Sequence, residues 1–102
     1  MALKHSAVEK VPGGKTVGID VWVENGIMTK VKITGDFFMH PEEQLNVLER
    51  AFEGEKTSFD WINLERKLMT AVQDNQIQLV GVGTGAILSV LKKALSGEGK
   101  NE

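Results

Sequence analysis

The chain has no cysteine, and its two histidines are His5 and His40. Without cysteine, this chain cannot form disulfide bonds, present a thiolate nucleophile, build a zinc–thiolate site or ligate an iron–sulfur cluster. The histidines are too far apart in the sequence to form a spacing motif for metal binding or acid–base chemistry. We therefore predict that both histidines are surface or loop residues and that this chain has no metal site.

Long apolar runs and basic clusters are also missing. No apolar segment approaches the ~20 residues that a membrane-spanning helix needs, and no signal peptide precedes the first predicted strand. The formal net charge is −2, and no group of lysines or arginines is interleaved with aromatic residues. These features favour a cytoplasmic protein that binds neither a membrane nor nucleic acid.

The composition is that of one small globular domain. The chain has 102 residues, of which 41% are hydrophobic and 25% charged. Residues 1–96 are predicted to form a single domain. The last six residues, 97–102, have no apolar side chain to bury and are predicted to be a disordered tail.

A β-hairpin is the best-defined element in the sequence. Apolar residues alternate along its first strand and again after Asn25-Gly26: Val17, Ile19, Val21, Val23, then Ile27, Val31 and Ile33. A two-residue turn at Asn25-Gly26 would pair Val23 with Met28 and Ile19 with Lys32, which would put lysines on the core face. We therefore predict a three-residue loop, residues 24–26, which pairs Val23 with Ile27, Ile19 with Val31 and Val17 with Ile33.

This register makes a prediction about the outer face of the hairpin. It sets Asp20 opposite Lys30 and Trp22 opposite Met28. Trp22 and Met28 would form an apolar patch on an otherwise polar face. Either a helix of the same domain covers the patch, or it is a docking site for another protein.

The remaining pattern predicts an α+β fold, with a three-stranded antiparallel β-meander packed by about three helices. A first strand, His5 to Val11, ends at the turn Pro12-Gly13-Gly14. Residues 77–82 are either a short strand or an extended connection. The helices are predicted from their capping residues and apolar spacing, with these limits: Pro41 to Gly54, then a helix with Ser58 as N-cap and Asp60 in its first turn, then Thr84 as N-cap to Gly97.

The second helix should bury one stripe and expose the other. Its apolar side consists of Trp61, Leu64, Leu68 and Val72. Its polar residues Glu65, Arg66 and Lys67 are predicted to face water. In the third helix the apolar stripe is Ile87, Leu88, Leu91, Ala94 and Leu95.

A glycine-rich segment, residues 81–85, precedes the third helix. Glycine loops between a strand and a helix can hold phosphate at the helix N-terminus, so Gly83, Thr84 and Gly85 are possible phosphate-proximal residues. The segment has neither the P-loop pattern nor the spacing of a dinucleotide-binding fingerprint. The alternative is a tight connecting turn.

The segment Gly35-Asp36-Phe37-Phe38 follows the hairpin. Gly35 ends a strand and Asp36 suits the turn. Adjacent residues of an extended segment point in opposite directions. We therefore expect one phenylalanine to pack in the core and the other to face a partner.

These motifs together resemble a known family, the C-terminal accessory domain of lipoate–protein ligases. The resemblance covers about Gly14 through the last helix, and Gly35 to Phe38 is its most specific part. The glycine-rich segment before the last helix departs from the family pattern. The matching segments are Gly14 before a strand, Asn25-Gly26-Ile27, Ile33 to Phe38, Pro41-Glu42-Glu43, and Leu48-Glu49 leading to Gly54.

In some archaea and bacteria this domain is a separate small subunit, and this chain resembles that stand-alone form. The family's fold also resembles the iron–sulfur scaffold class. The resemblance implies a non-catalytic accessory subunit that forms a heterodimer with a separate lipoate–protein ligase catalytic subunit and enables ATP-dependent lipoate adenylation. It implies that this chain alone binds no cofactor, that ATP, magnesium and lipoate act in the complex, and that the lipoyl-acceptor carrier protein is met indirectly.

The residues predicted to form the partner interface are Trp22, Met28, Asp36, Phe37 and Phe38. The Trp22→Ala substitution is expected to leave the domain folded and to weaken the heterodimer by ~2 kcal/mol or more. Two other classes stay open at this point. One is a generic interaction or scaffold module without cluster ligands, including a homodimer through Trp22 and Met28, and the other is a small independent nucleotide-binding enzyme.

Overall fold

The computed structural model describes residues 2–11 and 15–96. The strands and helices are β1 Leu3–Lys10, β2 Thr16–Glu24, β3 Ile27–Gly35, β4 Phe38–His40, α1 Leu45–Phe52, α2 Trp61–Asp74, β5 Gln78–Val80 and α3 Thr84–Leu95. Three strands form an antiparallel meander in the order β1-β2-β3, and β4 and β5 form a separate two-stranded antiparallel sheet. A 3₁₀ turn at Glu42–Gln44 leads into α1.

The predicted α+β class, the three-stranded meander and the three helices are confirmed. The first strand begins two residues earlier than predicted, at Leu3, and ends at Lys10. Residues 77–82, predicted to be either a short strand or an extended connection, contain the short strand β5. The predicted turn Pro12-Gly13-Gly14, the helix end at Gly97 and the tail 97–102 lie outside the described residues.

The predicted register of the hairpin is wrong. Asn25 and Gly26 form a two-residue turn in which both have positive φ, 56° and 76°. Next to the turn Val23 pairs with Met28, but Trp22 pairs with Lys30. Strand β3 therefore carries one extra residue, Thr29, between these two pairs. This β-bulge restores the alternation beyond it, which keeps the lysines of β3 on the outer face without a longer loop. Other predicted pairs are replaced accordingly by Val21 with Val31, Ile19 with Ile33, Asp20 with Lys32 and Val17 with Gly35.

The core lies between the inner face of the meander and the helices. α3 packs on β1 and β2, α1 packs on β3, and α2 contacts both helices. Within the described residues no helix is long and apolar enough to cross a membrane. Three residues of the predicted apolar stripes, Trp61, Val72 and Leu95, are only partly buried against the core. The others are confirmed as core residues, and the buried residues of the helices include Leu48, Phe52, Leu64, Leu68, Ile87, Leu88, Leu91 and Ala94.

The second helix begins two residues later than predicted from its N-cap, and the third begins one residue earlier. The segment after α1 continues along the edge of β3, where Met28 N–H donates to Glu55 O (2.8 Å) and Thr57 N–H donates to Gly26 O (2.9 Å). Because this pairing keeps the chain non-helical past Ser58, α2 begins at Trp61 with Asp60 as its N-cap residue. α3 begins at Thr84, and Gly83 occupies the N-cap position predicted for Thr84.

Candidate functional site: two exposed surfaces

A tight turn after β3 determines where β4 lies. Gly35 has φ 149°. The Asp36 carboxylate Oδ1 accepts a hydrogen bond from Thr16 N–H at 2.7 Å, and Asp36 N–H donates to Thr16 O at 3.2 Å. These two bonds attach the turn to the start of β2. Gly35 and Asp36 therefore act as structural residues that direct the following phenylalanines.

The two phenylalanines point in opposite directions, as predicted. Phe37 is half-buried and packs against the core. Phe38 is 67% exposed. In the small sheet Phe38 pairs with Val80, which is 53% exposed. We call Phe38 and Val80 the β4–β5 patch.

Two open clefts flank Phe38, with volumes of about 390 Å³ and 470 Å³. Phe38, Met39 and Glu42 line both clefts. Towards β3 the smaller cleft continues along Ile33, Thr34, Gly35, Phe37 and Leu45. Towards β5 the larger cleft continues along His40, Pro41, Glu43, Gln78 and Val80.

Acidic residues outnumber basic ones beside the β4–β5 patch, where His40 lines the larger cleft and Lys15 lies against Gly81. Glu42 and Glu43 are exposed and line the clefts, and Asp36 is exposed two residues before Phe38. Protein interfaces commonly combine an apolar centre with a polar rim, and opposite charge on the partner's rim favours association. The patch therefore has the properties of a contact surface for a partner with apolar and basic side chains.

Trp22 lies on the outer face of the meander, but Met28 does not lie beside it. The bulge turns Met28 inward, where it is 0% exposed and faces Val23. The neighbours of Trp22 are Lys4 and Lys30, whose Nζ atoms lie 5.6 Å and 5.1 Å from the centroid of its ring. The predicted apolar patch of Trp22 and Met28 is therefore wrong, because Met28 belongs to the core.

The burial of Met28 has a measurable consequence for stability. We expect Met28→Ala to lower the free energy of unfolding of the isolated chain by at least about 2 kcal/mol, since it opens a cavity in the core. Urea denaturation followed by tryptophan fluorescence measures this change. A loss below about 0.5 kcal/mol, as at an exposed site, would contradict the observed register.

The glycine-rich segment leads into the N-terminus of α3, where a side chain of α2 already lies. Glu65 accepts hydrogen bonds from Thr84 Oγ1 (3.2 Å) and Trp61 Nε1 (3.1 Å). A Cβ atom on Gly85 would lie 3.3 Å from Glu65 Oε2. A carboxylate this close to the helix N-terminus repels a phosphate, which favours the alternative of a packing turn over phosphate contact at Gly83, Thr84 and Gly85.

Glu65 was predicted to face water and is instead half-buried between two helices. We expect Glu65→Ala to lower the free energy of unfolding by about 1–2 kcal/mol, because Trp61 and Thr84 lose an acceptor and α3 loses a favourable charge. The exposed neighbour Arg66 gives the control, since Arg66→Ala should change the free energy of unfolding by less than about 0.5 kcal/mol. If Glu65→Ala and Arg66→Ala lower the free energy of unfolding equally in a denaturation experiment, the hydrogen bonds of Glu65 do not stabilise the fold.

The two histidines lie in different places. His5 is half-buried on β1, and His40 is exposed at the end of β4. Within residues 2–11 and 15–96, no three histidine, aspartate or glutamate side chains are grouped so that they could hold a metal ion. His40 is a neighbour of the β4–β5 patch because it lines the larger cleft.

The fold and the β4–β5 patch define a small α+β domain with a surface suited to protein contact. The profile of the family described as bacterial lipoate protein ligase C-terminus matches residues 1–80. The chain therefore belongs to the family of lipoate protein ligase C-terminal domains. The match includes the meander, the segment Gly35 to Phe38 and β5, and it ends before α3.

A solved structure has a similar fold. It is a chain from the structural analysis of an archaeal lipoylation system, a bipartite lipoate protein ligase and its E2 lipoyl domain from Thermoplasma acidophilum. The TM-score is 0.71 at 20% identity, and the match covers 89% of this chain and 97% of that chain. At this identity the likeness shows the fold. A search of curated proteins finds no significant match.

Proposed function

We propose that this chain is the non-catalytic accessory subunit of a bipartite lipoate–protein ligase. It binds a separate catalytic subunit and enables the ATP-dependent formation of lipoyl-AMP, from which the lipoyl group passes to an acceptor protein. The family match over residues 1–80 carries the proposal. The fold shared with a chain from a bipartite archaeal ligase system, over 97% of that chain, supports the role of an accessory subunit.

The β4–β5 patch is the surface that we assign to the catalytic subunit. Its two side chains, Phe38 and Val80, are among the most exposed large apolar residues of the described chain. Burial of such side chains at the centre of an interface typically supplies much of the binding free energy. Asp36 and Phe37 hold the turn that presents Phe38, so their part in binding is to position it.

In this proposal ATP, magnesium and lipoate act in the complex and bind to the catalytic subunit. Binding of a second subunit can close a cleft, exclude water and order loops around the nucleotide. Since Glu65 lies at the N-terminus of α3, we do not assign a phosphate contact to this chain. We place the reaction in the cytoplasm, and we expect the acceptor protein to bind the catalytic subunit and to meet this chain indirectly.

A bypass experiment separates this role from others. With ATP and lipoate, transfer of the lipoyl group to the acceptor should require both subunits. With pre-formed lipoyl-AMP, the catalytic subunit should modify the acceptor without this chain. If transfer from lipoyl-AMP also needs this chain, its role is in transfer and the proposal is wrong.

The alternative of a scaffold module with an iron–sulfur-scaffold-like fold stays a prediction. No contact in the described residues favours it, and the chain has no cysteine with which to hold a cluster. We therefore do not propose it.

A further inference from the structure

The outer face of the meander presents three neighbouring cross-strand rows of side chains. Each row has one residue from each strand, and the helices α1 and α3 pack on the opposite face. The rows are Lys4–Trp22–Lys30, Ser6–Asp20–Lys32 and Val8–Gly18–Thr34. This face is distinct from the β4–β5 patch.

The first two rows carry an excess of positive charge. Asp20 is already engaged, because Ser6 Oγ donates to it at 2.6 Å and Lys4 Nζ lies 4.0 Å away. Among the described residues, no carboxylate lies within ion-pair distance of Lys30 or Lys32. The first two rows therefore hold three lysines and one aspartate, in a chain whose net charge is −2.

An apolar surface lies among these charges. The ring of Trp22 lies between the ammonium groups of Lys4 and Lys30, at 5.6 Å and 5.1 Å from its centroid. Val8, in the third row, is 71% exposed. Within the described residues Lys30 and Lys32 make no ion pair, Trp22 is half-buried and Val8 is exposed. Such a face suits a partner that brings carboxylates together with an apolar side chain.

We infer that this face binds an acidic protein segment, whose carboxylates lie at Lys4, Lys30 and Lys32 and whose apolar side chain packs beside Trp22. Nucleic acid suits the face less well, because the negative Asp20 lies in the middle row and these rows hold one aromatic ring for stacking. The inference does not depend on the proposed function. The charge of this face is opposite to that beside the β4–β5 patch, so the two surfaces fit different partners. With this assignment Trp22→Ala should leave the affinity for the catalytic subunit unchanged, in contrast to the expectation from the sequence.

A titration of the full chain by NMR tests the inference. The probe is the capped peptide Glu-Glu-Phe-Glu-Glu, and the comparison is the capped peptide Lys-Lys-Phe-Lys-Lys. The acidic peptide should shift the amide signals of the three rows and the indole N–H of Trp22, and the shifts should shrink as salt screens the charges. The basic peptide should leave these signals unchanged.

Two charge-reversed variants locate the binding site. Lys30→Glu/Lys32→Glu should weaken binding of the acidic peptide at least ~10-fold. The control Arg66→Glu/Lys92→Glu makes the same change in net charge on α2 and α3, and Lys92 also lies near a tryptophan ring, 5.7 Å from the centroid of Trp61. The control should bind as the unaltered chain does. The dispersion of the remaining signals shows in the same spectra whether each variant is folded.

Three outcomes would overturn the inference. Equal weakening in both variants would mean that the peptide responds only to net charge. Signals of the three rows that shift when the chain alone is concentrated would assign the face to a second copy. Tighter binding of a five-nucleotide oligothymidylate at this face would assign it to nucleic acid.

Discussion

The Phe38→Thr/Val80→Thr variant is expected to fold normally and to bind the catalytic subunit at least ~100-fold more weakly, a loss of about 3 kcal/mol. Both side chains are more than half exposed in the isolated chain, so their removal exposes little of the core. Threonine keeps the β-branched character that suits a strand. Titration calorimetry with the catalytic subunit measures the affinity, and thermal unfolding of the isolated variant measures stability.

The chain offers a closely matched control on α2. Ile62 is 63% exposed and Met69 is 54% exposed, against 67% for Phe38 and 53% for Val80. The Ile62→Gln/Met69→Gln variant removes a similar exposed apolar surface and should bind the catalytic subunit with unchanged affinity. The assignment of the β4–β5 patch fails if the two variants lose the same affinity, or if only the α2 variant loses it.

The Gly35→Ala variant is expected to lose at least about 4 kcal/mol of unfolding free energy, a large part of the stability of a small domain. A Cβ atom at this position would lie 2.3 Å from Thr16 O and 3.0 Å from Cδ1 of Phe37. The φ of 149° is also one that side-chain-bearing residues rarely adopt. To relieve the clash, the turn would have to move away from β2 and lose the hydrogen bonds between Asp36 and Thr16.

Gly54 provides the comparison, because it also has a positive φ, 88°, but no atom lies within 4 Å of a Cβ placed there. Gly54→Ala should therefore cost only the backbone term, about 1–2 kcal/mol. Urea denaturation of both variants measures the difference. If Gly35→Ala and Gly54→Ala lose similar amounts of unfolding free energy, a Cβ atom at position 35 is accommodated beside Thr16 without additional cost.

The pattern of apolar residues predicted the elements of the fold better than their register. Alternation identified both strands of the hairpin, but a single extra residue in a strand shifts every pair beyond it. The sequence holds a signal of the bulge, since Met28 and Val31 are both apolar and are separated by an odd number of positions, three. The structure shows that both are buried. The predicted register contains no bulge, and it therefore places Met28 on the wrong face.

Contacts between residues distant in the sequence were not predictable from local patterns. β4 and β5 have three residues each, too few for a periodic signal, and their pairing joins segments about forty residues apart. Glu65 has the polar character of an exposed helix face, and its hydrogen bond to Thr84 arises only when α2 and α3 pack together. The opposite directions of Phe37 and Phe38, in contrast, follow from local strand geometry and were predicted correctly.

The central claim is that this chain enables adenylation by a separate catalytic subunit. The most direct measurement is pyrophosphate release from ATP and lipoate by the catalytic subunit, with and without this chain. The account predicts release only when both subunits are present, with no release by this chain alone. Equal release by the catalytic subunit in the absence of this chain would contradict it.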